Sequence, residues 1–128
     1  MKEKATEDKG ILVFVYGSLK RGFSNYKRLL DGSIGDCEYL HVATTKGTMY
    51  DLGPFPAVDI EGPNQIRGEV FRVDEDVLFA LDRLEGDPTF YNRTKVDLST
   101  GEKAWIYHIS RNKINSNMLV PDGDWRKK

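Results

Sequence analysis

Cysteine and histidine are scarce in this chain. Cys37 is its only cysteine, and His41 and His108 are its only histidines, among 128 residues. A lone cysteine excludes an internal disulfide framework and any cluster of thiolates around a metal. Two histidines leave little from which to build a histidine-rich metal centre. An excess of one charge is also missing: 19 Lys and Arg against 20 Asp and Glu give a formal net charge of −1. No global field draws the chain toward nucleic acid or an anionic membrane. No apolar run approaches the roughly 20 residues of a membrane-spanning helix. The charged stretch Met1–Gly10 lacks the apolar centre of a secretion signal. It holds nothing that could anchor a fold, so a disordered leader over residues 1–10 and one domain over residues 11–128 are expected. What is present suits that size. Hydrophobic residues at 39% plus 12 glycines make up an ordinary globular apolar fraction, and a domain of this length buries enough surface for a core without staples. A cytoplasmic protein is the expectation.

The order of elements reads as mixed α and β. Ile11–Val15 is an unbroken run of Ile, Leu, Val, Phe and Val, which suits a strand covered on both faces. It leads directly into Tyr16-Gly17-Ser18-Leu19-Lys20-Arg21-Gly22, a loop with two glycines. Ser24 can cap a short helix over Asn25–Leu30, with Asp31-Gly32 as its stop. Strands are expected at Cys37–Ala43 and Lys46–Leu52 around Thr44-Thr45, and then at Ala57–Ile60 after a rigid Gly53-Pro54-Phe55-Pro56 loop. Gly62-Pro63-Asn64 signals a turn. Ile66–Val73 alternates as a strand, with Gly68 marking a bulge or a close backbone approach. The clearest helix is Glu75–Leu84: Asp74 caps it, and Val77, Leu78, Leu81 and Leu84 form one apolar stripe. Gly86 can end it in the left-handed conformation. Phe90–Leu98 and Lys103–Ile109 flank Ser99-Thr100-Gly101 as a hairpin. The tail from Asn112 is polar, with Pro121–Trp125 as a loop. Strands outnumber helices and do not alternate with them, which argues for an α+β domain with a mixed, curled sheet rather than repeated βαβ units.

Two places could carry chemistry. At the end of the first strand, Gly17 permits a sharp turn in which successive N–H groups converge on an anion, with the Tyr16 and Ser18 hydroxyls alongside. Neither a Walker loop nor a dinucleotide fingerprint is present, and an ordinary turn is the plain alternative. The second place is Glu85. It stands at the negative end of the strongest helix, beside Leu84, Phe90 and Tyr91. If buried there, its carboxyl has a raised pKa and the profile of a general base or proton shuttle; otherwise it is a solvated Glu at a frayed helix end. Asp82 and Arg83 read as solvated flanks of the same helix. Cys37 lies between Asp36 and Glu38, which disfavours its thiolate and a nucleophilic role. His41 and His108 fall in strands, where a structural role is the commoner one. Lys20-Arg21 with Lys27-Arg28 is a small basic patch. Tyr91 and Tyr107 either line a pocket or fill the core with a hydrogen-bonded hydroxyl.

Taken together, these segments resemble a known family. Val13-Phe14-Val15-Tyr16-Gly17-Ser18-Leu19-Lys20-Arg21-Gly22 is similar to the opening of the gamma-glutamylcyclotransferases, most of all to the small gamma-glutamylamine cyclotransferase-like branch. The same pattern continues in order through Gly53-Pro54-Phe55-Pro56-Ala57-Val58, Ile66-Arg67-Gly68-Glu69-Val70-Phe71 and Leu81-Asp82-Arg83-Leu84-Glu85-Gly86 with Tyr91-Asn92-Arg93. It ends in Ala104-Trp105-Ile106-Tyr107 and Gly123-Asp124-Trp125. The resemblance covers Ile11 to Trp125 and implies a barrel-like curled sheet with a few short helices and a cavity beside the first strand. It implies that the α-amine of a γ-glutamyl group attacks its own γ-carbonyl, releasing 5-oxoproline and a free amine, with no metal and no cofactor. Glu85 matches the family's catalytic glutamate, and Tyr16, Gly17, Ser18 and Leu19 match its substrate-binding loop. Tyr91 and Tyr107 match pocket walls.

The partner expected on this resemblance is a small γ-glutamyl substrate, with no nucleic acid or membrane, bound by a monomer or weak homodimer. The rival is a non-enzymatic module that uses the same loop and the nearby basic patch to hold a small carboxylate. Such a module has no need of an acid at Glu85.

Overall fold

The computed structural model describes residues 10–17, 20–21, 32–51, 56–85, 92–108 and 119–126, and for residues 84 and 85 the backbone alone. The expected leader over 1–9, the helix at Asn25–Leu30, the loop over 53–55 and the Gly86 cap lie outside the described residues. Within them the chain forms β1 (Ile11–Val15), β2 (Cys37–Lys46), β3 (Thr48–Asp51), β4 (Pro56–Asp59), β5 (Gln65–Val73), α1 (Glu75–Glu85), β6 (Asn92–Asp97), β7 (Lys103–His108) and β8 (Leu119–Val120).

Five strands make one mixed sheet in the order β2-β5-β1-β7-β6, and three make a second in the order β4-β3-β8. β1 is central. It pairs antiparallel with β5, Ile11 opposite Val73 and Val15 opposite Glu69, and parallel with β7, Val13 opposite Trp105. Alternation along β1 sends Val13 and Val15 into a core shared with Phe71, Val77, Leu81 and Tyr107, on the α1 side. Phe14 and Tyr16 enter the opposite core, with Met49, Ile66, Ile106 and Trp125. The central strand is therefore covered on both faces, as its unbroken apolar run requires. Each fully buried side chain of this kind contributes roughly 1.5–3 kcal/mol relative to exposure.

The five-stranded sheet curls until its two edges meet at one end. Thr45 bridges Leu98, the Ser99 N–H donates to Thr44 O at 2.8 Å, and the Thr45 hydroxyl donates to Asp97 O at 2.6 Å. The edges touch there without closing a barrel along their length. This contact also corrects the strand break expected at Thr44-Thr45. Both threonines stay extended within β2 because they pair with Arg67 and Ile66 of β5, while Leu98, Ser99 and Asp97 meet them from the other edge. The chain breaks instead at Gly47, whose N–H donates to Asn64 O at 2.9 Å.

Gly68 marks a close approach rather than a bulge. A Cβ built there would stand 2.4 Å from Val15 O and 2.7 Å from the Phe14 ring. The irregularity in pairing falls on β2, between Tyr39 and His41. Helix α1 begins as its sequence requires. Asp74 accepts from the Val77 N–H at 3.0 Å and from the Asp36 N–H at 2.8 Å, and these two bonds hold its carboxyl below the usual carboxylate range. The late hairpin forms about Gly101, in the left-handed region at φ 91°. Pro121–Trp125 forms the expected loop, and just before it Leu119–Val120 pairs with β3; Trp125 is buried.

Candidate active site

The site is built where β1 and β7, parallel neighbours, end side by side. Beyond Val15 the chain turns at Tyr16-Gly17, and the Lys20 N–H donates to Gly17 O at 3.0 Å, closing the turn. Gly17 is required here by crowding. A Cβ would lie 2.9 Å from Cγ of Pro56, the first residue of β4. Proline cannot yield without moving its strand, so the turn and β4 meet backbone to ring. Ser18 and Leu19, the rest of the expected substrate loop, lie outside the described residues, as do Tyr91 and the pair Lys27-Arg28.

Lys20 does not belong to a solvated basic patch. Its ammonium donates to Trp125 O at 2.6 Å and to Asp124 Oδ1 at 3.1 Å, with its side chain 9% exposed. Next to it, the Arg21 N–H donates to Glu69 Oε1 at 2.8 Å, and the Arg21 guanidinium stacks 3.5 Å above the Tyr39 ring. The Lys20 charge is engaged within the fold, whereas the Arg21 side chain is 46% exposed along Tyr39 and Glu69. Their partners on β5 and in the tail are far off in sequence, so no local signal announces them.

A chain of hydrogen bonds then crosses the sheet. The Tyr16 hydroxyl donates to Tyr107 O at 2.5 Å. The Tyr107 hydroxyl donates to Asp82 Oδ1, also at 2.5 Å. Arg93 on β6, directly opposite Tyr107 in the hairpin, donates from Nη2 to Asp82 Oδ2 at 3.2 Å, and its Nε stands 2.9 Å from Oδ1. That Nε contact is electrostatic, lacking the alignment of a hydrogen bond. The Arg93 guanidinium rests 4.5 Å from the centre of the Trp105 ring, a cation–π contact. Asp82 is thus the meeting point of α1, β6 and β7. The expectation that it is a solvated flank is corrected: its side chain is 22% exposed and committed to two partners. The sequence signal that could have found it is its place in the helix. An acid in the last turn opposes the dipole and needs a counter-charge.

Glu85 is the final residue of α1, three residues beyond Asp82. Residues so spaced lie on one side of a helix. The backbone that carries Glu85 is therefore tied, through Asp82 and Tyr107, to the Tyr16 turn. Tyr107 itself is buried, with its hydroxyl engaged by Asp82.

His108 follows Tyr107 and points the other way. Its Nε2 lies 2.7 Å from the Thr94 hydroxyl. Burial holds its pKa below the ordinary value, partly opposed by the negative charge of Asp59. Among the described residues, no group of three or more His, Cys, Asp or Glu side chains could hold a metal ion. No described helix is long and apolar enough to cross a membrane. A shallow groove of about 400 Å³ lies at the opposite end of β1, bounded by Gly10, Cys37, Arg72 and Asp74 among others. It shares no residue with the Tyr16 turn.

The chain belongs to the gamma-glutamyl cyclotransferase, AIG2-like family: the family's model matches residues 13–127, which include the glycine turn, α1 and most of the central strand. Among its relatives, a Vibrio cholerae protein with the provisional name gamma-glutamylcyclotransferase is 38% identical over 115 residues, covering 89% of this chain and 94% of its own. Gamma-glutamylaminecyclotransferase C of Danio rerio is 35% identical over 129 residues, covering 91% of this chain and 80% of its own. In structure the chain is similar to an AIG2-like protein from Mus musculus, with a TM-score of 0.77 and 26% identity over 91% of this chain and 88% of that one.

Proposed function

We propose that this protein is a γ-glutamylamine-type cyclotransferase, and that Glu85 is its proton shuttle. In the reaction the α-amine nitrogen of a γ-glutamyl group bonds to its own γ-carbonyl carbon. The bond from that carbon to the distal nitrogen breaks. 5-Oxoproline closes and the distal amine leaves. One proton must come off the attacking amine and one must reach the departing one, and a single carboxyl can do both in turn. Negative charge develops on the carbonyl oxygen, where N–H groups of the Tyr16-Gly17-Ser18-Leu19 turn would stabilise it or hold the substrate carboxylate. Tyr91 and Tyr107 would wall the pocket, Tyr107 with its ring because its hydroxyl is engaged by Asp82.

The observation that supports this reading most is the bonded path from the Tyr16 hydroxyl through Tyr107 to Asp82, one turn before Glu85. It ties the element that carries the acid to the turn that would receive the substrate. The relatives' names support the same activity class. In this reading the partner is a small γ-glutamyl compound. The protein acts in the cytoplasm without metal, cofactor, nucleic acid or membrane, as a monomer or weak homodimer.

The test is to incubate the protein with a panel of γ-glutamyl amines and γ-glutamyl amino acids and to follow 5-oxoproline. Turnover by the wild type, with a loss of roughly 10²–10⁴-fold in Glu85→Gln, is expected for a positioned acid–base group. No product from any compound, or equal turnover by Glu85→Gln, overturns it. Calorimetric binding of these compounds without product would identify a binding module instead.

A further inference from the structure

The last turn of a helix is its least self-sufficient part. Its final carbonyls have no partner within the helix, and ends of this kind open first in native-state fluctuations. In α1 that turn contains Asp82 and closes at Glu85. Nothing intrinsic favours Asp82 there. Aspartate has middling helix propensity, and its charge opposes the negative end of the dipole. The fold offsets both. The Tyr107 hydroxyl and the Arg93 guanidinium meet the carboxylate from two strands, and Arg93 is backed by the Trp105 ring. Tyr107 is in turn bonded through its carbonyl to the Tyr16 hydroxyl.

We infer that Asp82 is a positioning residue: through Tyr107 and Arg93 it holds the final turn of α1, and with it the backbone of Glu85, in place on β6 and β7. This rests on the reading of Glu85 as the proton shuttle. Asp82 touches no reacting atom. Its role is to keep the acid within reach of the nitrogen it serves, where a displacement of about 1 Å can cost on the order of 100-fold in rate.

The experiment uses the full chain as wild type, Tyr107→Phe and Asp82→Asn. Tyr107→Phe keeps the ring and the Asp82–Arg93 pair but removes one anchor. Asp82→Asn keeps an acceptor for Tyr107 but removes the charge that Arg93 faces. Amide hydrogen exchange is followed by NMR along α1. kcat and KM are measured with whichever γ-glutamyl compound the wild type turns over. In Tyr107→Phe, amides of the last turn should exchange about 10-fold faster or more, while those of the first turn beside Asp74 stay at the wild-type rate. kcat should fall roughly 10- to 100-fold with KM within about twofold.

Wild-type exchange in the last turn of both variants overturns the inference, as does faster exchange with an unchanged kcat. A raised KM at constant kcat also overturns it, and makes the Tyr107 hydroxyl a substrate contact. If Asp82→Asn does not fold, Tyr107→Phe decides. If the wild type forms no 5-oxoproline at all, the proposed activity is what fails, and the exchange rates still decide whether Asp82 holds the turn.

Discussion

The Lys20 ammonium donates to the carbonyl oxygen of Trp125 at 2.6 Å, so the turn after the first strand and the end of the tail are one structural unit. Asp124 supplies the counter-charge at 3.1 Å. Trp125 is itself buried, and a Cβ on Gly123, which is left-handed at φ 67°, would stand 2.2 Å from Gln65 O. The tail is thus packed tightly onto β5, and Lys20 joins it to the turn.

Lys20→Ala should therefore loosen both segments. A hydrogen bond to a charged group contributes about 1.5–3 kcal/mol, and partial exposure of Asp124 argues for the lower part of that range. A reduced urea midpoint, with faster proteolysis after residue 119, is the expected result. An unchanged midpoint would show that the bond contributes nothing net.

Gly17→Ala places a methyl 2.9 Å from the Pro56 ring. Overpacking of this kind costs typically 1–3 kcal/mol, and here the strain falls on the turn proposed to hold the substrate. Activity should fall at least about tenfold, chiefly through KM. Steady-state kinetics on the folded variant checks this, and wild-type KM would remove the turn from the binding site.

Asp74→Ala removes the N-cap of α1 and the acceptor for the Asp36 N–H. Losing a cap costs about 1 kcal/mol. Because the hydrogen bonds of Val77 and Asp36 lower the Asp74 pKa in the folded state, its contribution is present at neutral pH. It is lost as pH falls below the unfolded value near 3.8 and through the folded one. Urea midpoints of wild type and variant should differ at pH 7 and converge in acid.

His108 has the opposite charge type and the same direction of pH dependence. Burial disfavours its charged form, so the folded state binds its proton less readily than the unfolded chain does. Its contribution is present above about pH 6.5 and is lost as pH falls below that toward the depressed folded value. His108→Gln should flatten the fall in stability as pH drops below about 6.5. Equal slopes for wild type and variant in urea titrations would show that His108 charges freely in the fold.

Much of the architecture was legible in the sequence because it depends on neighbours along the chain. The unbroken Ile11–Val15 run announces a strand covered on both faces, the Asp74 cap and 3.6-residue stripe announce α1, and Ser99-Thr100-Gly101 announces the hairpin. The order of short motifs from Tyr16 to Trp125 was enough to point to the family. Elsewhere the tertiary structure decided. Asp82 reads locally as a surface acid and becomes a junction only when Arg93 and Tyr107 arrive from 11 and 25 residues away. Tyr16 finds its acceptor 91 residues on, and Lys20 finds Trp125 across 105. Two-residue β8 and the break at Gly47 likewise depend on partners brought by the fold. Periodicity and capping are local, so the sequence by itself determines them; a buried polar group takes whichever partner the curled sheet carries to it, and only the folded chain decides which that is.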